Sequence, residues 1–295
     1  MAREGRQGIR LTDEVSCYTN KVLGEGRVAC VFPGIKGNCK VAIKRIQKEN
    51  FNKLEESCMK ALNHPNVLEF FDLIEEQHFT YIVLEICDAT VEDYCRGEYK
   101  GKVPSDRSAL FQMADGLDHI HSKGFAHRDI SSNNVLIKLT GDEAVMKISD
   151  FGVCKPASET QSFSMSGDGV KGTIPFLAPE LLRQMLSVEN HQDTNEGRSG
   201  VRGHISNDIF SLGCVFYRFL TKDGHPFMHG VVESSFNSII SKIISNIVEN
   251  NQYLEGLGET QTFAQSLIER MIQPDKDKRP QINKVKQELN SHLNN

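Results

Sequence analysis

The sequence predicts an α+β protein of two lobes, in which a small antiparallel sheet carrying one helix precedes a larger helical lobe. Three observations predict this. Short apolar runs separated by glycine and charged residues fill the first third of the chain, which is typical of strands. Apolar residues at helical spacing dominate from about residue 92 onward. The 295 residues are enough for two packed units around a substantial core.

Composition excludes several classes of protein. Hydrophobic residues make up 39% and charged residues 25%, as in soluble globular proteins. The formal net charge of −5 offers no overall attraction for nucleic acid, so no such partner is predicted. No apolar run approaches the roughly 20 residues that cross a bilayer, and the charged N-terminus does not resemble a signal peptide. Eight single cysteines without a CxxC pair predict neither zinc nor a disulfide framework, so the expected location is cytoplasmic.

The first lobe is expected over residues 16–84, after a polar tail at 1–15. Apolar runs predict strands of one sheet at 22–23, 30–32, 40–43, 67–71 and 79–84. Between the third and fourth runs, Leu54, Cys58, Met59 and Leu62 recur at helical spacing. One helix over 51–62, with these four side chains pointing inward, is therefore predicted.

A hinge at 85–88 is expected to lead into the second lobe, residues 89–293. Helices are predicted around 110–120, 209–220, 238–247 and 263–272. The second of these is apolar all round and should be buried. The segment 187–207 is rich in Asn, Gly, Ser and charge, which predicts a surface insertion.

Two short segments of the second lobe carry the groups that phosphoryl transfer from ATP requires. Residues 127–134 read HRDISSNN, and residues 150–152 read DFG. Asp129 can accept the proton of an attacking hydroxyl, while Asn134 and Asp150 offer oxygen ligands to Mg²⁺. Each of the three could alone cap a turn. Their arrival in this order, next to predicted apolar elements, favours a reaction centre.

The first lobe supplies the complementary phosphate-binding features. Residues 23–31, LGEGRVACV, predict a strand, a glycine turn and a second strand. Gly24 and Gly26 would let the backbone approach phosphates closely, although Ala29 replaces a third glycine. Lys44 ends the apolar strand VAIK. A lone lysine there could simply reach out to solvent, but after a glycine hairpin a phosphate-binding role is favoured.

Such a lysine needs an anion to hold it. Glu55 and Glu56 both lie on the predicted helix. Glu55 is preferred because it lies beside Leu54 and four residues before Met59, nearer the inward face.

With these motifs in order, residues 17–293 resemble the eukaryotic protein kinases. The segments APE at 178–180, DIFSLG at 208–213 and KRP at 278–280 agree. The resemblance implies the bilobal protein-kinase fold, ATP and Mg²⁺ as cofactors, a protein substrate and a Glu180–Arg279 ion pair. It implies Asp129 as the catalytic base, Asn134 and Asp150 as metal ligands, and Lys44 held by Glu55. The residues it places around ATP are Leu23, Gly24, Gly26, Val31, Ala42, Lys44, Glu85 and Cys87.

A narrower likeness rests on EICDAT at 85–90, DFGVCK at 150–155, SFS at 162–164 and DIFSLGCVFY at 208–217. These segments are similar to the kinase domains of the inositol-requiring-enzyme family, the kinase–endoribonuclease sensors of the unfolded-protein response. Residue 295 falls just past the last predicted kinase helix, so the nuclease module is not expected here. A place on the cytosolic face of the endoplasmic reticulum is expected only if the chain belongs to a longer membrane protein.

One departure bears on mechanism. Serine/threonine kinases usually carry lysine two residues after the catalytic aspartate, where this chain has Ser131. Losing such a cation could lower the rate by about 10²–10³. An ATP-dependent serine/threonine kinase is therefore the main prediction, and a nucleotide-binding pseudokinase or weak kinase acting as a homodimer is the alternative. A small-molecule kinase is disfavoured by the APE and KRP segments.

Residues 150–180 form the predicted activation segment, in which Ser162, Ser164 and Ser166 alternate. They are candidate phosphorylation sites, including sites of autophosphorylation. Arg128 is expected to pair with a phosphate there and order the loop. The alternative is a solvated serine-rich loop. These motifs do not encode the physiological substrate, the upstream signal or the oligomeric state.

Overall fold

The computed structural model describes residues 8–26, 28–165, 169–190, 202–222, 224–229 and 235–291. Within these ranges the chain forms a strand-rich first lobe and a helix-rich second lobe, joined by residues 86–88. The α+β fold class with two lobes is confirmed, and the first lobe carries one α-helix among its described residues.

The first lobe is a seven-stranded antiparallel sheet in the order β1-β2-β4-β5-β7-β6, with β3 beside β4. Its strands are β1 Ile9–Arg10, β2 Val15–Cys17, β3 Gly24–Glu25, β4 Ala29–Lys36, β5 Cys39–Gln47, β6 Phe70–Glu75 and β7 Phe79–Glu85. Helix α1, Lys53–Ala61, lies between β5 and β6 in sequence and packs its buried face inward. Its first turn is capped by the Asn52 side chain, which accepts a hydrogen bond from the Leu54 N–H.

Several boundaries differ from the sequence prediction. The predicted polar tail is wrong from Ile9 onward, because Ile9 and Arg10 pair with β2. The run 22–23 is not a strand, since ladder pairing with β4 starts at Gly24. The run 67–71 contributes to its strand only from Phe70, and Val67 instead bridges to Ile148 of the second lobe. Val67 and Leu68 are buried without belonging to a strand, and periodicity alone does not distinguish such packing from strand pairing.

The second lobe is built mainly of helices around short strand pairs. Its helices are α2 Val91–Cys95, α3 Asp106–Ser122, α4 Pro179–Asn190, α5 Ser206–Thr221, α6 Phe236–Glu249, α7 Thr262–Met271 and α8 Ile282–Ser291. Its strands are β8 Ala89–Thr90, β9 Phe125–Ala126, β10 Val135–Thr140, β11 Glu143–Ile148, β12 Lys155–Pro156, β13 Ser162–Ser164 and β14 Arg202–His204. Helix α5 is buried on nearly every side, as its all-round apolar sequence predicts. In the described residues, no helix has the length and apolarity needed to span a bilayer.

The predicted surface insertion at 187–207 is wrong at both ends. Helix α4 continues to Asn190, and β14 pairs with β13 of the activation segment before α5 begins. Gly203 allows this pairing, because a Cβ atom there would lie 2.2 Å from the Phe163 ring. The polar composition of 187–207 gave no indication of strand β14, whose single glycine faces the buried Phe163 ring. Residues 191–201 lie outside the described part of the chain.

Hydrogen bonds between the lobes fix the floor of the cleft. The Leu68 N–H donates to the Ile148 carbonyl at 2.8 Å, and the Ile148 N–H donates to the Asn66 carbonyl at 2.9 Å. Ile148 closes the strand that precedes Asp150. The segment after α1 therefore holds the end of β11. This contact positions Asp150, which follows β11, next to the first lobe.

Candidate active site

Lys44 is the centre of a charge cluster between the lobes. Strand β5 places it opposite Val31 of β4 and Ile82 of β7. Its Nζ lies 2.6 Å from Glu55 Oε1 and 2.8 Å from Asp150 Oδ1. Burial alone would lower the pKa of Lys44, but the two carboxylates outweigh it and raise the pKa. The ammonium in turn holds the pKa of Asp150 below its usual value.

The structure brings Glu55, and not Glu56, to Lys44. The Glu55 side chain is only 4% exposed, whereas Glu56 pairs with Lys60 one turn along the helix. The predicted inward position of Leu54 is wrong, because Leu54 is 40% exposed. Glu55 itself occupies the buried face, together with Cys58 and Met59. A carboxylate can hold that place because Lys44 compensates its charge.

Asp129 lies in the loop between β9 and β10 and is fixed from two sides. Asn134 donates through Nδ2 to Asp129 Oδ2 at 3.0 Å and to the Asp129 carbonyl at 2.8 Å. Thr173 donates its N–H and its hydroxyl to Asp129 Oδ1, both at 2.7 Å. Burial raises the pKa of Asp129 in spite of these hydrogen bonds. A carboxylate with a raised pKa and fixed orientation is suited to accept a proton.

The backbone around Asp129 is held in an unusual conformation. Arg128 has φ 73°, in the left-handed region that non-glycine residues rarely adopt. Buried Asp208 of α5 accepts hydrogen bonds from the His127 N–H at 2.9 Å and the Arg128 N–H at 2.8 Å. His121 also contacts Asp208 through Nε2 at 2.9 Å. The start of α5 thus fixes the turn that presents Asp129.

The loop of Asp129 is tied to the segment of Asp150. His127 Nε2 must donate to the Ser149 carbonyl at 2.9 Å, since a carbonyl can only accept. Ser149 returns two bonds, from its N–H and its hydroxyl, to the Asn134 carbonyl at 2.9 and 3.0 Å. The predicted metal ligands Asn134 and Asp150 are therefore neighbours across this connection.

The same geometry leaves oxygen donors for a cation. The Asn134 amide nitrogen is used by Asp129, so its amide oxygen remains as an acceptor. Asp150 binds Lys44 through Oδ1, which leaves Oδ2 available, and its side chain is 45% exposed. Amide and carboxylate oxygens are the hard ligands that Mg²⁺ prefers. These residues fit the ion that the family resemblance implies.

Several of the residues expected around ATP lie on the strands next to Lys44. Ala42 faces Leu84 in the β5–β7 ladder. Gly24 pairs with Val31, while Leu23 is 42% exposed at the rim. A Cβ atom added at Gly24 would meet nothing within 4 Å, and one at Gly26 would only touch the Ala29 carbonyl. The turn therefore needs no glycine for its own packing.

Ser131 occupies the position where serine/threonine kinases usually carry lysine. It is fully buried, and its hydroxyl finds no hydrogen-bond partner among the residues that the structure describes. Its carbonyl accepts a hydrogen bond from the Asn134 N–H at 3.1 Å. Ser131 shapes the loop through its backbone and supplies no charge.

The described part of the activation segment differs from the alternative of a solvated serine-rich loop. Ser162 and Ser164 lie in β13 on either side of buried Phe163; Ser166 lies outside the described residues. Arg128 donates to the Val153 carbonyl at 2.9 Å and to the Gly169 carbonyl at 3.4 Å, and its guanidinium lies 5.2 Å from the Phe163 ring centre. Arg128 is therefore already engaged by the segment.

The ion pair predicted between Glu180 and Arg279 is confirmed. The guanidinium donates to both carboxylate oxygens, at 2.7 and 2.8 Å. Arg279 is completely buried at its side chain, and Glu180 is 30% exposed. The pair fixes the start of α4, where the activation segment ends.

Three residues that fix the geometry were missed as site residues: Thr173, His127 and Asp208. The sequence does hold a signal for Thr173, which lies five residues before Ala178 of the APE segment and follows a glycine. The sequence identifies Asp208 only as the first residue of the DIFSLG segment, at the start of the predicted buried helix. Its hydrogen bonds to a loop 80 residues earlier are a tertiary feature that local patterns do not encode.

The family description "protein kinase domain" matches residues 18–289. The chain belongs to the protein kinase family. It is 31% identical over 287 residues to the "sensor for unfolded proteins in the ER ire1" of Schizosaccharomyces pombe, covering 90% of this chain and 26% of that protein. It is 34% identical over 233 residues to the human "serine/threonine-protein kinase/endoribonuclease IRE2", covering 74% of this chain and 23% of that one. A "serine/threonine-protein kinase PLK4" of Danio rerio is 27% identical over 285 residues, covering 90% of this chain and 26% of that protein.

The kinase domain therefore spans about a quarter of the length of these relatives. The bilobal fold described above is that of the family, and the family uses ATP and Mg²⁺ in general. The predicted similarity to the kinase domain of the inositol-requiring enzyme is confirmed.

Proposed function

We propose that this kinase domain transfers the γ-phosphoryl group of ATP to serine or threonine hydroxyls of proteins, including its own activation segment. The observation that carries this proposal is a pair of hydrogen-bonded groups of residues, connected through Ser149, which precedes Asp150 and donates to the Asn134 carbonyl. One group is the Lys44–Glu55–Asp150 charge cluster, and the other is Asp129 with Asn134. Together they provide a phosphate-binding cation, oxygen ligands and a base, as phosphoryl transfer requires.

In the proposed reaction Asp129 accepts the proton of the acceptor hydroxyl. The hydroxyl oxygen forms a bond to the γ-phosphorus of ATP, and the bond between that phosphorus and ADP breaks. Thr173 and Asn134 hold the two carboxylate oxygens of Asp129 and so orient it. Mg²⁺, when bound by Asn134 and Asp150, would neutralise phosphate charge. Lys44, held by Glu55, binds the α/β-phosphates.

The nucleotide is proposed to lie under the β3–β4 hairpin. Packing within the hairpin does not require glycine at position 24 or 26. Gly24 and Gly26 would instead allow the backbone to approach the phosphates. Leu23, Val31 and Ala42 would cover the adenine. Its edge would meet the backbone of Glu85 and Cys87, with Leu84 at the back of the pocket.

Autophosphorylation is proposed at Ser162 and Ser164, with Ser166 as a further candidate. Arg202, rather than Arg128, is the cation placed to receive a phosphate at Ser162. Its Nε donates to the Ser162 hydroxyl at 2.8 Å, and its Nη2 donates to the Ser162 carbonyl and the Ser158 hydroxyl at 3.3 Å. A phosphate would strengthen the β13–β14 pairing through charge-assisted hydrogen bonds.

A second candidate function is supported by Ser131. Because its buried hydroxyl supplies no charge, the domain would be a weak kinase or a nucleotide-binding pseudokinase that signals as a homodimer. The names of two relatives connect them to the endoplasmic reticulum or to endoribonuclease activity. If the chain is part of a longer membrane protein, we propose that the domain lies on the cytosolic face of the endoplasmic reticulum. Otherwise the proposed location is the cytoplasm.

Incubation of the purified chain with γ-labelled ATP, Mg²⁺ and a mixture of acceptor peptides tests the proposal. Label on phosphoserine and phosphothreonine supports the kinase. Nucleotide binding without transfer favours the pseudokinase. Failure to bind Mg·ADP at all would exclude both.

A further inference from the structure

A second buried charge cluster lies behind the hinge, outside the reaction centre. Glu85 is the last residue of β7, and its side chain is 4% exposed. Its Oε1 pairs with Lys138 of β10, and its Oε2 lies 2.7 Å from Nζ of Lys147 of β11. A carboxylate at the end of the first-lobe sheet is thus bound by the β10–β11 hairpin of the second lobe.

Hydrogen bonds hold the hinge at both of its ends. The Glu85 N–H donates to the Glu69 carbonyl at 2.9 Å, and the Glu69 N–H donates to Glu85 Oε2 at 3.3 Å. Three residues on, the Asp88 N–H donates to the Ile137 carbonyl at 2.9 Å, and Asp88 Oδ2 accepts from the Leu139 N–H at 2.7 Å. The Asp88 end of the hinge is therefore bound to β10 through its backbone and side chain, and the Glu85 end contacts β10 through its side chain and Lys138.

Between these ends, Cys87 keeps its backbone N–H available. This N–H donates no hydrogen bond to another backbone group in the described ranges. Burial, aided by the Glu85 charge, raises the pKa of the Cys87 thiol to about 12, so the thiol is neutral. The polar group of Cys87 that lacks a backbone hydrogen-bond partner in the described ranges is therefore its N–H.

The charge balance makes Glu85 the key member of the cluster. Burial would raise the pKa of Glu85, but Lys138 and Lys147 lower it further, so the carboxylate stays ionised. One carboxylate therefore faces two ammonium groups. Removing it leaves two partly buried ammonium groups facing each other, which is far more costly than losing an exposed pair.

We infer that the side chain of Glu85 is a positioning residue, which fixes the hinge peptides of Glu85 and Cys87 for adenine by docking them on Lys138 and Lys147. The inference rests on the proposed function for the nucleotide, but the docking itself does not. Buried ion clusters of this kind add little stability over apolar residues and can instead select one geometry. The geometry selected here is that of the hinge.

Glu85→Gln is the primary test, because it keeps the size of the side chain and an acceptor for the Glu69 N–H. Amide hydrogen exchange of residues 85–88 without nucleotide should be about 10-fold faster than in the wild type. The Kd for Mg·ADP should rise about 10-fold, corresponding to one lost hydrogen-bonding contact. The single-turnover rate at saturating ATP should change by less than about threefold, since the reacting groups are untouched.

Adenosine separates the adenine site from the phosphate site. In competition against a fluorescent ADP analogue, Glu85→Gln should weaken adenosine and ADP by similar factors. Lys44→Met should weaken ADP while leaving adenosine unchanged. Asp115→Asn is the matched control, because it removes an ion pair with Lys286 on the α3–α8 side of the second lobe; it should leave both affinities and the hinge exchange unchanged.

If Glu85→Gln does not fold, Lys138→Met is the second variant, because it retains Lys147 as a partner for Glu85. It should also make the hinge amide exchange faster and raise the Kd for Mg·ADP. Hinge exchange equal to wild type in a folded variant would overturn the docking. Faster exchange with unchanged adenosine and ADP affinity would overturn the positioning role. If the wild type itself binds no ADP, the proposed function fails, and the exchange comparison still decides the docking.

Discussion

At the scale of single residues, two members of the reaction centre have left-handed backbone. Arg128 has φ 73° and Asp150 has φ 64°, and such a conformation costs about 1–3 kcal/mol in a residue with a side chain. Asp208 holds the first and Lys44 contacts the second. Each strained residue is therefore bound by a partner distant in sequence.

This explains how much of the site could be predicted. The identities of Asp129, Asn134 and Asp150 follow from residue type and order. Their orientation depends on Asp208 and Thr173, which approach from other elements. Sequence reasoning can name such groups but cannot show which distant donor fixes them.

Ser131 gives the first prediction. Ser131→Lys should raise the single-turnover rate by about 10- to 100-fold if the missing cation limits transfer, somewhat less than a preorganised charge contributes. Rapid-quench measurement with labelled ATP at saturating Mg·ATP checks this. Ser131→Met has a similar length without charge. An equal gain in the methionine variant, or none with lysine, would contradict the electrostatic explanation.

At the scale of elements, helices were predicted well because their apolar period is long enough to read. Helix α5 matched its prediction within a few residues at its start and one at its end. Short strands were predicted poorly, and β14 was missed because only its pairing with β13 defines it. A three-residue strand has too little periodicity to distinguish it from a polar loop.

The Glu180–Arg279 pair anchors α4. Arg279→Met should lower the free energy of unfolding by about 3 kcal/mol, the lower end for a buried pair because Glu180 is partly exposed. Urea denaturation followed by circular dichroism measures this. Arg270→Met breaks the exposed pair with Glu288 and should cost less than about 1 kcal/mol. Equal losses in both variants would show that the buried pair does not anchor the helix.

The β13–β14 pair gives a prediction for phosphorylation. Phosphoserine installed at position 162 during synthesis should raise Tm by about 1–3 °C in the wild type, because Arg202 gains a charge-assisted partner. The gain should vanish in Arg202→Gln and persist in Arg183→Gln, whose arginine binds the distant Val248 carbonyl. A gain that survives Arg202→Gln would assign the phosphate to another cation.

At the scale of the whole molecule, the two lobes share one hydrophobic core cluster and are further joined by a small set of polar contacts. Lys44 joins β5 to Asp150, and Glu85 joins β7 to β10 and β11. The bilobal order was predictable, since strand periodicity occupies the first third of the chain and helix periodicity the remainder. The contacts between the lobes were only partly predictable, because the partners of Glu85 carry no local signature.

Buried histidines predict the response of the whole fold to acid. Burial lowers the pKa of His225 from 6.5 to about 4, and it also lowers the pKa of His64, His119 and His204. Between pH 6.5 and 4 the unfolded chain binds protons that the folded chain excludes, so stability falls as pH falls through this window.

Between pH 7 and pH 5, His225 alone should contribute a loss of about 2 kcal/mol. His225→Asn keeps an acceptor for the Phe227 N–H, which now donates to Nδ1 at 3.3 Å. Urea midpoints at both pH values should show a smaller pH dependence in this variant. An identical dependence would mean that His225 is not the titrating group.

The central claim is that Asp129 is the base of a working kinase, and Asp129→Asn tests it most directly. Wild type and variant are incubated with γ-labelled ATP and Mg²⁺, and phosphoserine and phosphothreonine are quantified, with Mg·ADP affinity measured by calorimetry. The variant should lose about 10²-fold or more of the transfer rate while its Kd for Mg·ADP stays within about twofold, because the proposed role of Asp129 is to contact the acceptor and not the nucleotide. Transfer by Asp129→Asn at the wild-type rate would contradict the account.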